Sequence, residues 1–160
     1  MKNKGKQFEK LVRQQFEAIQ DVSVDRINDN VGYAGAYNIA DLIVYRKPYK
    51  YYLELKTIKG TSFPFCNVNK KALTDLMMQS IIPGVAAYYI IWFVDLDLTI
   101  AINCRELYDK IYVEDKKSIG VKSLHEFEYI KINGKKKRTY YEYNLVELLN
   151  KFCEEMLWAN

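Results

Sequence analysis

Two short apolar runs in the first third of the chain each carry an acid, and their spacing restricts the fold more than any other feature. Asp41 opens Leu42-Ile43-Val44-Tyr45, and thirteen residues later Glu54 and Lys56 alternate with Leu53 and Leu55 after Tyr51-Tyr52. Side chains two apart on a strand share a face, so Glu54 and Lys56 point one way and Leu53 and Leu55 the other. Lys47-Pro48 is a turn signal between the runs. Paired as antiparallel strands, the runs bring Asp41 beside Glu54. Two carboxylates suit a hard divalent cation, and with a lysine beside them they form a group able to activate water against a phosphodiester. The competing reading is an edge hairpin with ordinary salt bridges on its solvated face, a normal pattern for a half-buried strand. Glu-x-Lys has little specificity by itself: Glu114-Asp115-Lys116 repeats it in charged, loop-like surroundings.

The 160 residues predict one domain spanning 1–160, with room for a core. No run approaches the roughly 18 apolar residues that span a bilayer. The basic start, Met1-Lys2-Asn3-Lys4-Gly5-Lys6, is followed by no apolar signal core, so secretion is not expected. Cys66, Cys104 and Cys153 are far apart and odd in number, as expected of reduced thiols in a cytoplasmic protein rather than a zinc site or disulfide framework. The net charge of +4 matters less than its distribution. Of five basic clusters, those at Arg46-Lys47-Lys50, Lys56-Lys59 and Lys70-Lys71 surround the Asp/Glu/Lys group; the others are Lys2-Lys4-Lys6 and Lys135-Lys136-Lys137-Arg138. A basic rim around an acidic metal site is what a polyanionic substrate requires.

Helical periodicity predicts a first helix over 6–19, with Phe8, Leu11, Val12, Phe16 and Ile19 on one stripe. A short strand is expected over 22–27, then a loop over 28–38 containing Gly32 and Gly35. The hairpin strands span 41–45 and 51–57, and the chain turns at 59–62. A second helix is expected over 69–82, ended by Pro83-Gly84. Residues 85–94 are nearly all apolar or aromatic, the pattern of a buried central strand. A turn at 95–97 and a returning strand at 98–103 follow, then a short helix over 105–112. Asp95 and Asp97 read as turn residues before metal ligands. Residues 114–123 are polar and read as irregular. Strands are expected at 127–132 and 138–143 around the turn dipeptide Asn133-Gly134, and a C-terminal amphipathic helix over 144–158. The result is an α/β architecture with a mixed sheet flanked by helices.

These residues resemble the PD-(D/E)xK nuclease superfamily, whose core is a helix, a β-hairpin bearing Asp and then Glu-x-Lys, a helix and further strands. Here the first pair is Ala40-Asp41. Within that group the chain is similar to RecU-type Holliday-junction resolvases of the shorter, recombinase-like versions. Asn3-Lys4-Gly5-Lys6-Gln7-Phe8-Glu9 resembles their opening, and Tyr51 to Phe65 resembles the catalytic hairpin with its Ser-Phe-Pro segment. Residues 84–93, 116–120 and 135–145 extend the likeness over nearly the whole chain. Two departures are visible. Ala72 stands where family members often carry Gln, and the loop over 28–38 is short and not basic where resolvases have a long basic stalk.

The resemblance implies a single-domain restriction-endonuclease-like fold. It also implies a Mg²⁺-dependent (or Mn²⁺-dependent) DNA endonuclease acting as a homodimer on branched DNA, with recombination proteins as partners. Asp41 and Glu54 are expected to bind the ion, with the Leu55 carbonyl adding a ligand. Lys56 is expected to handle the attacking water or transition-state charge. Glu9 is expected to reach the site from the first helix, where it shares a stripe with Lys6 and Arg13. Thr57, Lys59, Thr61 and Ser62 are candidates for holding the flanking phosphates. Tyr33 and Tyr37 are candidates for stacking on unpaired bases, and Lys135 and Lys136 for further DNA contact. Phe63-Pro64-Phe65 reads as a core wedge and His125 as a surface residue. Two alternatives stay open: a related nuclease on other branched, single-stranded or duplex DNA, and a non-catalytic DNA-binding protein that kept the fold.

Overall fold

The computed structural model describes residues 3–26 and 38–158. The first element is helix α1 (Lys4–Glu17), started by Asn3, whose side-chain oxygen accepts from the Gly5 backbone N–H at 3.1 Å. Strand β1 (Ser23–Arg26) follows, then the hairpin of β2 (Leu42–Arg46) and β3 (Tyr49–Ile58). The short β4 (Ser62–Pro64) leads to helix α2 (Lys70–Gln79). Strand β5 (Val85–Phe93) and strand β6 (Leu98–Asn103) come next, with helix α3 (Cys104–Tyr112) directly after. The last third holds β7 (Ser118–Gly120), β8 (Ile130–Lys131), β9 (Gly134–Lys136), β10 (Tyr141–Tyr143) and helix α4 (Leu145–Trp158).

Among the described residues, six strands form one mixed sheet in the order β1-β2-β3-β5-β6-β8. The β1–β2–β3 run is antiparallel, and α2 carries the chain over so that β5 lies parallel to β3, with Glu54 paired to Tyr89. Such a parallel step needs a crossover of a dozen residues or more, which α2 and its loops supply. Strand β5 is central, and Ala86 through Ile91 are all buried, as a strand covered on both faces requires.

Each face of the sheet carries one core. On one face Phe8, Val12 and Phe16 of α1 and Leu148, Leu149 and Phe152 of α4 pack on Leu53, Leu55, Tyr88 and Ile90. On the other, Leu73 and Leu76 of α2 and Leu107 of α3 pack on Tyr52, Tyr89, Ile91 and Ile102. Phe63 and Phe65 belong to this second core at 0% and 5% exposure, the wedge that the sequence suggests. Element order and layering are those expected of a mixed α/β sheet flanked by helices. Among the described residues no helix is long and apolar enough to cross a membrane.

Three expectations need correction. The second helix stops at Gln79 rather than 82, where Ser80 caps it by donating its backbone N–H to Leu76 and its hydroxyl to the Met77 carbonyl. The stretch read as irregular over 114–123 contains β7, which pairs with β4 from Ser62↔Gly120 to Pro64↔Ser118. Each of these strands buries one apolar side chain, Phe63 or Ile119, too little alternation to register as a pattern. Finally, Asn133-Gly134 is not the hairpin turn. Gly134 opens β9, which pairs with β10, and the turn lies at 137–140, closed by Lys137 N–H to the Tyr140 carbonyl at 2.8 Å. Gly134 is needed there because a Cβ would overlap the Tyr141 ring.

Candidate active site

The β2–β3 register ends at Leu42↔Leu53, with Asp41 just before it and Glu54 just after. The Asp41 backbone N–H donates to the Leu53 carbonyl at 3.1 Å, one residue off that register, so the chain bulges at 41–42. Glu54 points to the face under α2 and α3, because Tyr52 and Tyr89 pack there and Leu53 and Leu55 pack on the other. The Asp41 carboxylate is anchored: its Oδ2 accepts from the Leu55 backbone N–H at 2.7 Å. A strand residue directs its N–H and C=O to the same neighbour, so the Leu55 carbonyl points to the Asp41 side as well.

Glu54 and Lys56 touch. Lys56 Nζ donates to Glu54 Oε1 at 2.6 Å, with the side chains 30% and 15% exposed respectively. Even so, the Glu54 carboxyl is pushed up to about 7. Burial is the largest cause, the Asp41 charge adds to it, Lys56 opposes it, and Glu9 adds a smaller push. Burial first, and then neighbouring negative charge, outweigh the lysine that holds this carboxylate. Glu9 behaves in the same way: burial and then Asp41 raise it, while Arg26, Lys56 and Lys6 pull it down. The three acids therefore feel one another, although no set of three His, Cys, Asp or Glu side chains stands at metal-holding distance among the described residues. Glu9 acts on the pair from beside it.

Next to Asp41 lies a cavity of about 190 Å³ between α1 and the β1–β2 edge. Lys6, Lys10, Arg13 and Arg26 line it together with Glu9 and Asp41. Arg26 arrives there because β1 pairs with β2 as Arg26↔Leu42, one place from Asp41. The sequence pattern did not single out Lys10 or Arg26. Helical spacing from Lys6, four residues earlier, was a usable signal for the first, but the second depends on the β1 register. Tyr89 and Cys104 were also missed as neighbours: both are buried, and the Glu54 charge raises the pKa of each after burial does.

The other predicted residues lie as follows. Thr57 has the parity of Leu53 and Leu55, so it faces away from Glu54, and its Oγ1 stands beside Gly5 at the start of α1. Lys59, Thr61 and Ser62 are exposed just past the end of β3. Gly60, at φ +85°, donates its N–H to Asp95 Oδ2 at 2.6 Å, which ties this turn to the one after β5. Asp95 thus has a structural task, and Asp97 pairs with Lys136 at 2.6 Å. Lys136 therefore stands at the sheet end where β3 and β5 finish, while Lys135 is exposed beside it on β9. Ala72 is buried in the first turn of α2, its N–H held by the Asn69 side chain at 3.0 Å. His125 is exposed. Tyr33 and Tyr37 lie outside the described residues.

No protein-family model and no curated protein matches the chain. A solved structure, that of Hjc, a Holliday junction resolvase from the archaeal hyperthermophile Archaeoglobus fulgidus, aligns with 65% of this chain. The alignment covers 75% of Hjc at 12% sequence identity, with a TM-score of 0.48.

Proposed function

We propose that this protein is a metal-dependent DNA endonuclease of the junction-resolving type. The observation that carries the reading is the closeness of Asp41 to Glu54, with the Leu55 N–H fixing the first and Lys56 touching the second. A hard divalent ion fits this donor set. Two carboxylate side chains and a carbonyl supply oxygen only, and the raised Glu54 marks negative charge in want of a cation. Asp41, Glu54 and the Leu55 carbonyl would hold Mg²⁺, or Mn²⁺. The bound ion would supply polarisation of the scissile phosphate and an acidified water.

The chain's own groups do the rest. The Leu55 N–H keeps the Asp41 carboxylate from rotating away from Glu54. Lys56 donates to the attacking water and offsets negative charge as it builds on the phosphate. Glu9 orients groups around the Asp41 side of the pair. The cations on α1 and β1 attract the backbone of the substrate, and Lys59, Thr61, Ser62, Lys135 and Lys136 contact phosphates farther along it. Two symmetry-related cuts across a four-way junction call for two sites, hence a homodimer.

The test is cleavage of a synthetic four-way junction beside a linear duplex of matched sequence, with Mg²⁺, with EDTA, and with Asp41→Ala. Paired nicks on the junction alone, abolished by EDTA and by the substitution, are expected. Equal cutting of both substrates would keep the nuclease and remove the resolvase. Binding without cutting, unaffected by EDTA, would leave only a DNA-binding protein.

A further inference from the structure

A cavity of about 830 Å³ lies where β5 begins and β6 ends. Val85, at its floor, is four residues before Tyr89, the partner of Glu54, so the cavity is displaced along the sheet from the acid pair. Its walls are the end of α2 with the turn that follows, the first turns of α3, and the last two turns of α4. A volume of several hundred Å³ is in the range that takes a drug-sized molecule or a few side chains of a peptide.

Two properties define what fits. The lip is apolar: Ile81, Ile82 and Trp158 are 57%, 49% and 89% exposed, and all three line this one cavity rather than being scattered. The rest is acidic. Glu106, Asp109, Glu128, Glu154 and Glu155 line it against only Arg105 and Lys151. Both cations are engaged, Arg105 by the Ser80 hydroxyl and carbonyl and Lys151 by Glu147. Glu106 has Lys110 at 3.7 Å, and Glu155 accepts from the Tyr88 hydroxyl at 2.6 Å.

The backbone adds to the same sign. Helix α2 ends here and has no basic residue in its last turn. A helix C-terminus carries about half a negative charge. The N-terminus of α3 opposes this in part, with Glu106 in its first turn. The cavity beside Asp41 is the reverse, with four cations to two acids. A polyanion drawn to that side is repelled from this one.

We propose that this cavity docks a cationic, amphipathic segment of a partner protein. Its Lys or Arg side chains face Asp109, Glu128 and Glu154, and an aliphatic or aromatic anchor lies against Ile81, Ile82 and Trp158. Charge complementarity selects this occupant over nucleic acid, and the apolar lip selects it over a free cation. The proposal does not depend on the chain's cutting DNA.

The test is fluorescence anisotropy of a short labelled peptide alternating arginine and leucine, titrated with the full chain. Saturable binding is expected, weakened about tenfold or more by Glu128→Lys combined with Glu154→Lys. Both residues are exposed, so an unchanged Tm establishes that the variant folds. Ile82→Ser is expected to weaken binding while leaving its salt dependence intact. Equal binding by an arginine-only peptide, equal binding by the double variant, or displacement by linear duplex DNA would each overturn the proposal. So would a wild-type dimer, seen by sedimentation, that ignores the peptide and dissociates in the double variant, because the face would then belong to a second copy of the chain.

Discussion

Two hairpins of this molecule each hold a Lys–Glu pair at nearly the same distance, and the two glutamates titrate in opposite directions. In β2–β3, Lys56 and Glu54 are 2.6 Å apart, and Glu54 is raised. In β9–β10, Lys137 and Glu142 are 2.8 Å apart, and Glu142 is lowered. For Glu142 the lysine is the leading cause, acting through its hydrogen bond and its charge in open solvent. For Glu54 the lysine is outweighed by burial together with Asp41. An ion pair seen at good distance therefore says little about what its acid is for. The neighbours that set the sign of the shift say more, and displaced carboxyls gather where chemistry needs them.

Four measurements would break or sharpen this contrast. The largest effect concerns cleavage: Glu54→Gln and Lys56→Ala are expected to lower the single-turnover rate on a four-way junction by on the order of 10³-fold. Glu142→Gln and Lys137→Ala should leave the chemical step alone. If all four variants cut equally, the buried pair is ordinary salt-bridge structure. Next, Mg²⁺ at about 100 times its Kd should stabilise the wild-type fold by about 2.7 kcal/mol in a thermal scan. Asp41→Ala and Glu54→Gln should abolish that gain, and Glu142→Gln should not.

The third effect is on stability against pH in EDTA. A folded Glu54 that holds its proton more tightly than the unfolded chain does contributes stability below about 4.5, and that contribution is lost as pH rises through about 7. Glu54→Gln should therefore raise Tm at pH 8, at about 2–4 °C per kcal/mol for a chain of this size. At pH 5 the advantage should vanish. A Glu54→Gln variant less stable than wild type at pH 8 would remove the crowding argument. Glu142 has the opposite sign: its contribution exists above about 4.5 and is lost as pH falls. The smallest effect follows from its exposure, since solvent screens such pairs. Glu142→Gln should leave Tm at neutral pH unchanged within error, and a clear drop would show that the exposed pair is structural.

The β2–β3 hairpin was legible from sequence because everything that defines it is local. Alternation of apolar and charged residues sets the faces, and Lys47-Pro48 sets the turn, so counting brings Asp41 near Glu54, although a bulge at 41–42 takes it one residue off the register. Helix α4 and strands β5 and β6 were legible for the same reason, each having a long, one-period pattern. The β9–β10 hairpin was misread because its strands are three residues long and Gly134 serves a side-chain contact rather than a turn. The β4–β7 pair joins segments more than fifty residues apart, with one buried apolar residue on each strand. No local period marks such a pairing.

The sequence by itself determined the acids, the lysine beside them and the face that Glu54 and Lys56 share, because period-two geometry is a property of the chain. The tertiary structure decided which charges those acids feel. Arg26 reaches Asp41 through the β1–β2 register, Tyr89 lies across from Glu54 through the α2 crossover, and Glu9 approaches from a helix on the other face. It also decided that one cavity is basic and the other acidic, since each gathers residues from three or more segments. Burial and long-range charge depend on distances through space, and a spacing along the chain does not contain them.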